Sequence, residues 1–307
     1  MKLFKYKYIN IFLIVAFSFL SSGCYQANKE KPKELIAASN YPISFILQEL
    51  TGNNESVFCI VPPGTSEHAF SLKPSDINKI ENAKVIFYVN ENLDSWISKI
   101  NNENKIGLLD RINGSDMISY SHVHNDSKHS DHENEYNGID PHFWTDPIIV
   151  RDLIPTITAQ LIRFFPNDSI KLISNSRKLI EKLTLLDSEF YEILEPYRGK
   201  YVFLFHPSFL YFLKRYGLNY AGAVEEFPGK EPTIQYISEI EKTIIKFDIR
   251  ALYREPQLPE KSLVPIASGR NLKILMLDPI GGFQGRNNYF DLMRFNAINI
   301  KNGFIQN

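Results

Sequence analysis

Short apolar runs alternating with helix-spaced segments constrain this chain most, because they admit only one kind of sheet. Ser56-Val-Phe-Cys-Ile-Val61 and Lys84-Val-Ile-Phe-Tyr-Val89 are near-continuous apolar runs without period-two alternation. Strands that read this way are buried on both faces. Glu34 to Ser39 reads as a strand before them. Between the runs, Ile43, Ile46, Leu47 and Leu50 recur at helical spacing, with Gly52 as a stop signal. A second helix is expected from about residue 75 to 82. Alternation of this kind predicts a largely parallel sheet covered by helices.

The pattern lapses between Arg111 and Gly138, in a stretch of Asn, Asp, Ser and Glu that holds His122, His124, His129 and His132. It resumes with a helix from about 147 to 165. From Asn167 to Leu194, Ile170, Ile173, Leu179, Ile180, Leu183, Leu186, Phe190 and Leu194 recur at three- and four-residue steps, and Pro196 ends the run. A helix of about 28 residues would reach roughly 40 Å, longer than a small domain is wide, so it is expected to be a rigid strut between two lobes. Strands near 201–205, 218–224, 249–253 and 272–277 then alternate with helices near 207–216, 233–246, 259–268 and 287–300. The two halves share a grammar without a residue-level repeat.

The expected architecture is therefore α/β, with two Rossmann-like lobes of mainly parallel strands joined by a long helix. The N-terminal lobe would run from 34 to 166, with the histidine-containing loop at 111–138. The linking helix would occupy 167–196 and the C-terminal lobe 197–307.

With 44% hydrophobic and 22% charged residues, the composition is that of a globular protein, and a formal net charge of −1 gives no concentrated basic surface for nucleic acid. Lys2, Lys5 and Lys7 precede an apolar run from Ile9 to Leu20 and then Ser21-Ser22-Gly23-Cys24. Such a run is short for a membrane span and reads as a secretory signal over residues 1–23. Its removal would take three lysines and leave a charge of −4. Cys24 after glycine resembles a bacterial lipoprotein cleavage site, although the usual leucine three places before it is Ser21 here. Residues 24–33, polar and lysine-rich, would then be a tether. Cys59 would remain as a lone thiol in a buried strand, where a small core role is expected rather than metal binding.

Three histidines and one aspartate stand out by position. His142 lies in Asp140-Pro-His142-Phe-Trp144-Thr-Asp-Pro147, just before an expected helix start. His206 and Asp278 directly follow expected strands, and His68 lies on the loop after another. Ligands of open α/β sheets sit beyond the carboxyl ends of the strands, so these side chains could converge between the lobes. Three neutral imidazoles and a carboxylate suit tetrahedral zinc, and the imidazole count disfavours manganese or ferrous iron.

With these motifs, the chain resembles the zinc- and manganese-type solute-binding lipoproteins of bacterial ABC importers. Pro63-Gly64 with His68 and Lys73-Pro74-Ser75-Asp76 is similar to that family's first ligand loop. The Asp140 to Pro147 stretch is similar to its second, and His206-Pro-Ser-Phe209 with Arg215-Tyr216-Gly217-Leu218 to its third. Gly229-Lys-Glu-Pro-Thr233, Glu255-Pro-Gln257 and Leu277-Asp278-Pro-Ile-Gly281 match further landmarks.

The resemblance implies metal held between two lobes and ligand roles for His68, His142, His206 and Asp278. It also implies delivery of Zn2+, with Mn2+ or Fe2+ as the alternative cargo, to a membrane permease. A histidine stands at 206 where the manganese branch has glutamate, which agrees with zinc. Glu67 replaces a common proline; it could accept from a ligand or compete as an oxygen donor, and a solvated loop carboxylate is expected. The His122 to His132 cluster resembles the histidine-rich loop of zinc members, an auxiliary site for metal.

A non-enzymatic, monomeric protein at the extracytoplasmic face of a bacterial membrane, anchored at Cys24, is expected. A zinc-dependent hydrolase with Glu67 as general base, or a surface adhesin, would be the rival classes. Glu225 and Glu226 are expected as cleft-rim carboxylates.

Overall fold

The computed structural model describes residues 35–120, 138–259, 261 and 263–305. The expected signal segment, tether and Cys24, together with His122, His124, His129 and His132, lie outside the described residues. No helix among those described is long and apolar enough to cross a membrane.

Two four-stranded sheets form, and every strand pair in both is parallel. The first holds β1 (Ile36–Ala38), β2 (Val57–Cys59), β3 (Val85–Tyr88) and β4 (Lys105–Gly107) in the order β2-β1-β3-β4. The second holds β5 (Tyr201–Leu204), β6 (Asn219–Ala223), β7 (Ala251–Arg254) and β8 (Lys273–Met276) in the order β6-β5-β7-β8. The shared grammar of the halves is thus a shared topology. Strand β4 is absent from the reading of the sequence: Lys-Ile-Gly is too short to carry a pattern, and it pairs only with β3 at the sheet edge.

Burial explains why the strands read as unbroken apolar runs. Ile36, Ala38, Val85 and Phe87 join the central core, whereas Ala37 and Ile86 join a second cluster with Ile60, Ile80 and Trp96. In the other sheet Val202, Leu204, Ala251 and Tyr253 face the central core. Phe203, Phe205 and Leu252 face a third cluster with Ile240, Ile244 and Leu263. Side chains alternate across a strand, so a sheet covered on both faces needs apolar residues at every position.

Among the helices are α1 (Tyr41–Thr51), α2 (Pro74–Glu81), α3 (Pro147–Phe164), α4 (Ser169–Leu194), α5 (Leu210–Arg215), α6 (Ile234–Lys246), α7 (Leu263–Ser268) and α8 (Tyr289–Phe304). Helix α4 has 26 residues, about 39 Å at the standard rise. Its buried face is Leu172, Ser176, Leu179, Leu183, Leu186, Asp187, Phe190 and Leu194. Ile170 and Ile173, counted in the apolar stripe of the sequence, are exposed instead; the first turn meets the core through Leu172, and the two isoleucines lie off that face. Leu179, Leu183, Leu186 and Phe190 belong to the same core cluster as residues of both sheets, and α4 lies there against α1, α3 and α8. Asp187 on this face holds Arg215 through two hydrogen bonds of 2.9 and 2.8 Å and accepts from the Tyr216 hydroxyl.

Candidate metal centre

His206 follows β5 and Glu255 follows the adjacent strand β7, so the pairing of the two strands brings both side chains to one carboxyl edge. The Nδ1 of His206 lies 2.7 Å from a Glu255 oxygen, which also accepts from the Ser208 hydroxyl. His142 is placed by a local turn. Asp146 accepts from the amide of Ile148 to cap α3, and Pro147 opens the helix. Upstream, one oxygen of Asp140 takes both the His142 amide, at 3.0 Å, and its Nδ1, at 2.7 Å. Tyr211 donates to the Asp140 carbonyl from the other sheet's side of the molecule. His68 sits in a short 3-10 turn, Glu67–Ala69, after the Pro62-Pro63-Gly64 loop that leaves β2.

The three rings turn their Nε2 atoms toward one point. His68 Nε2 is 3.2 Å and His206 Nε2 3.4 Å from His142 Nε2. Ligand nitrogens of the three rings all fall within 4.8 Å of one another. Two nitrogens on a tetrahedral zinc at 2.0–2.1 Å would be about 3.3 Å apart, so both measured edges fit that polyhedron. The carboxylates behind His142 and His206 take the Nδ1 protons, which leaves each Nε2 lone pair facing inward. No such acceptor stands behind His68 among the described residues. His142 and His206 are buried, whereas His68 has an exposed side.

The surroundings shift the three imidazoles in different directions. Burial, then the proximity of His206, holds His142 well below the ordinary histidine range, and burial with both neighbouring rings does the same to His68. For His206 burial also pushes downward, but the charge and hydrogen bond of Glu255, with Glu67 and Asp140, outweigh it and raise the group. Burial pushes Glu67 and Asp140 each up to about 7.

Glu67 corrects the expectation of a solvated loop carboxylate. It is buried, its Oε1 lies 3.7 Å from His142 Nε2, and that oxygen has no hydrogen-bond partner among the described residues. A buried carboxylate oxygen without a hydrogen bond, this near an imidazole nitrogen, is a polar group whose burial is uncompensated within the described residues. The cluster of ligand atoms holds the three histidines alone: neither Glu67 nor Asp278, the fourth donor expected from the sequence, belongs to it. Its Oδ1 accepts from the amides of Ile280 and Gly281 and from Gln257, while its Oδ2 lies 3.2 Å from Arg286 Nε and, like the Glu67 oxygen, makes no hydrogen bond among the described residues.

Glu225 is buried and accepts from the Gly229 amide. Glu226 lines a cavity of about 460 Å3 that opens beside His68 and His206, with Asn90, Asn92 and Tyr120. The Cys59 thiol is outside the cluster and pushed up to about 12 by burial. The supporting roles of Asp140 and Glu255 are absent from the reading of the sequence. A usable signal existed for Glu255, which follows an expected strand just as His206 does.

The family described as ZnuA, zinc-uptake complex component A, periplasmic, matches residues 36–303. A Thermotoga maritima protein named for metal binding is 29% identical over 265 residues, covering 86% of this chain and 90% of its own length. The zinc-binding protein AdcA of Streptococcus pyogenes serotype M3 is 25% identical over 286 residues; the match takes in 88% of this chain but only 56% of AdcA. A solved crystal structure of ZnuA aligns with a TM-score of 0.74 at 22% identity, covering 87% of this chain and 98% of its own. The laminin-binding protein Lmb of Streptococcus agalactiae, described as bifunctional with adhesin and metal transporting activity, aligns at 0.73 and 20% identity over 88% and 99%. These structural likenesses speak to the fold, while the family match takes in all eight strands and the three clustered histidines. The chain belongs to the ZnuA family of periplasmic zinc-uptake components.

Proposed function

We propose that this protein captures Zn2+ outside the cytoplasm and hands it to the permease of an ABC importer, holding the ion on His68, His142 and His206. One observation carries the reading: the Nε2 atoms of His68 and His206 each lie at zinc-like spacing from that of His142, and carboxylates on the opposite ring nitrogen aim two of the three rings. Glu67, with its orphaned buried oxygen, is the fourth donor in this reading, and Asp278 is not a ligand. Three neutral imidazoles and one carboxylate leave the dication with a net charge of about +1, which the charges of Asp140 and Glu255 offset from behind.

The cavity beside His68 and His206 is the route for the ion, and the exposed side of His68 faces it. A hydrolase would keep an open coordination position for water. With Glu67 Oε1 3.7 Å from His142 Nε2, the fourth position in this reading goes to a protein donor, which suits cargo rather than catalysis. The finer features belong to the same reading: a lipid anchor at Cys24, a monomer, lobes meeting at α4, and auxiliary metal binding by the 122–132 histidines.

Metal analysis and competitive titration of the purified protein, with zinc and manganese compared at one pH, test this function. One tight zinc site is expected, lost in His206→Ala and kept in His124→Ala. A tight site that survives His206→Ala refutes the ligand set.

A further inference from the structure

Asp278 is buried, charged and at a strand end, yet it lies outside the metal cluster, which leaves its purpose open. Its surroundings supply one. The Asp278 amide donates to Asn296, whose own amide returns to the Asp278 carbonyl, so α8 grips the residue by its backbone. The side chain then gathers the start of the next loop, accepting from Ile280 and Gly281 and facing Arg286. Gly282 and Arg286 close the loop with a backbone hydrogen bond of 2.9 Å.

This loop touches the other half of the site at two glycines. Gly282, at φ +85°, lies so close to Pro63 that an added Cβ would sit 2.6 Å from the proline Cγ. Gly64, at φ +79°, faces the Phe283 ring, which a Cβ would meet at 3.1 Å. A side chain at Gly282 would force a shift, one at Gly64 would press on the Phe283 ring, and both contacts involve the segment that carries Glu67 and His68. His142 and His206 have carboxylates to hold them; His68 has this contact instead.

We propose that the 278–286 loop is a seat that holds the His68 loop over the metal, with Asp278 acting as a positioning residue for that seat. The inference rests on the three-histidine zinc site proposed above. Zinc release then requires the Pro63-Gly64 segment to lift from Gly282 and Phe283.

The test uses the loop's own glycines. Gly285 is also at positive φ, +77°, but an added Cβ would meet nothing within 4 Å. Gly285→Ala therefore imposes backbone strain alone, and Gly282→Ala imposes strain plus a collision with Pro63. Zinc loss from the full chain to a chelator, followed by stopped flow, should be about tenfold faster in Gly282→Ala than in Gly285→Ala. The difference should vanish in a Pro63→Gly background, where the obstructing atoms are gone. Zinc X-ray absorption of Asp278→Asn should keep the wild-type number of donors.

Equal release rates in the two glycine variants overturn the seat while leaving the zinc site standing. A lost oxygen donor in Asp278→Asn overturns it by making Asp278 a ligand. Wild-type protein without a tight zinc site overturns the underlying reading, and the seat with it.

Discussion

Glu255→Gln perturbs the metal centre through a residue that never touches the ion, so its effect can be separated from loss of a donor. The glutamate oxygen is 2.7 Å from His206 Nδ1, which puts it about 7 Å from an ion bound to Nε2 at the usual distance. At an effective dielectric constant of about 20, a unit charge there attracts a dication by roughly 5 kcal/mol. That figure is an upper bound, because neutralising Glu255 also removes the cost of burying its charge when no metal is bound. Outer carboxylates of metal-bound histidines are worth about 10–100-fold in affinity, or about 1.4–2.8 kcal/mol, and this is the expected loss at pH 7.5.

The pH dependence should move the opposite way. The glutamate is what raises His206 above its ordinary range against the pull of burial. A raised group takes up its proton at higher pH and begins to compete with zinc sooner as pH falls. In Glu255→Gln the onset of that competition should therefore shift to lower pH, even though affinity at neutral pH is weaker. Competitive chelator titration from pH 5.5 to 8 measures both. An unchanged dissociation constant at pH 7.5, or an onset moved to higher pH, would refute the reasoning.

Three further expectations follow from the same geometry. Glu67→Gln should weaken zinc binding by at least tenfold and leave one fewer charged oxygen in the zinc absorption spectrum; unaltered coordination would remove Glu67 as the fourth donor. Leu186→Ala, in the core that α4 shares with both sheets, should cost about 2–5 kcal/mol in urea unfolding of the metal-free protein. A smaller loss would mean that the site collapses around the cavity. Asp94, pushed up to about 7 by burial, holds its proton more tightly folded than unfolded. Its contribution is complete below about pH 4 and lost as pH rises through 7. Asp94→Asn should thus flatten metal-free stability between those limits, and an unchanged slope would count against it.

Periodicity made the fold legible because both sheets are covered on two faces, so every strand position must be apolar. It failed where that rule does not apply: at β4, too short to show a pattern, and at Ile170 and Ile173, apolar residues on the outer side of a turn whose Leu172 enters the core. The positions of His68, His142 and His206 were legible for a comparable reason, since strand ends and helix starts are where an α/β sheet presents side chains. Asp278 occupies such a position too, yet it stands outside the histidine cluster. A strand end says where a side chain emerges, not which neighbour claims it. Arg286 and two amides claim Asp278, while Glu67, expected in solvent, is enclosed beside His142.

By itself the amino-acid order determined the alternation of elements, the long helix and the three imidazoles able to share a cation, because these depend on local spacing and hydrophobic period. Only the tertiary structure decided the company each polar group keeps. Asp140 and Glu255 behind two rings, the orphaned oxygen of Glu67, and the two glycines pressed between loops all join residues distant along the chain. Burial and charge compensation act on distances in space, and no local pattern in the sequence encodes those.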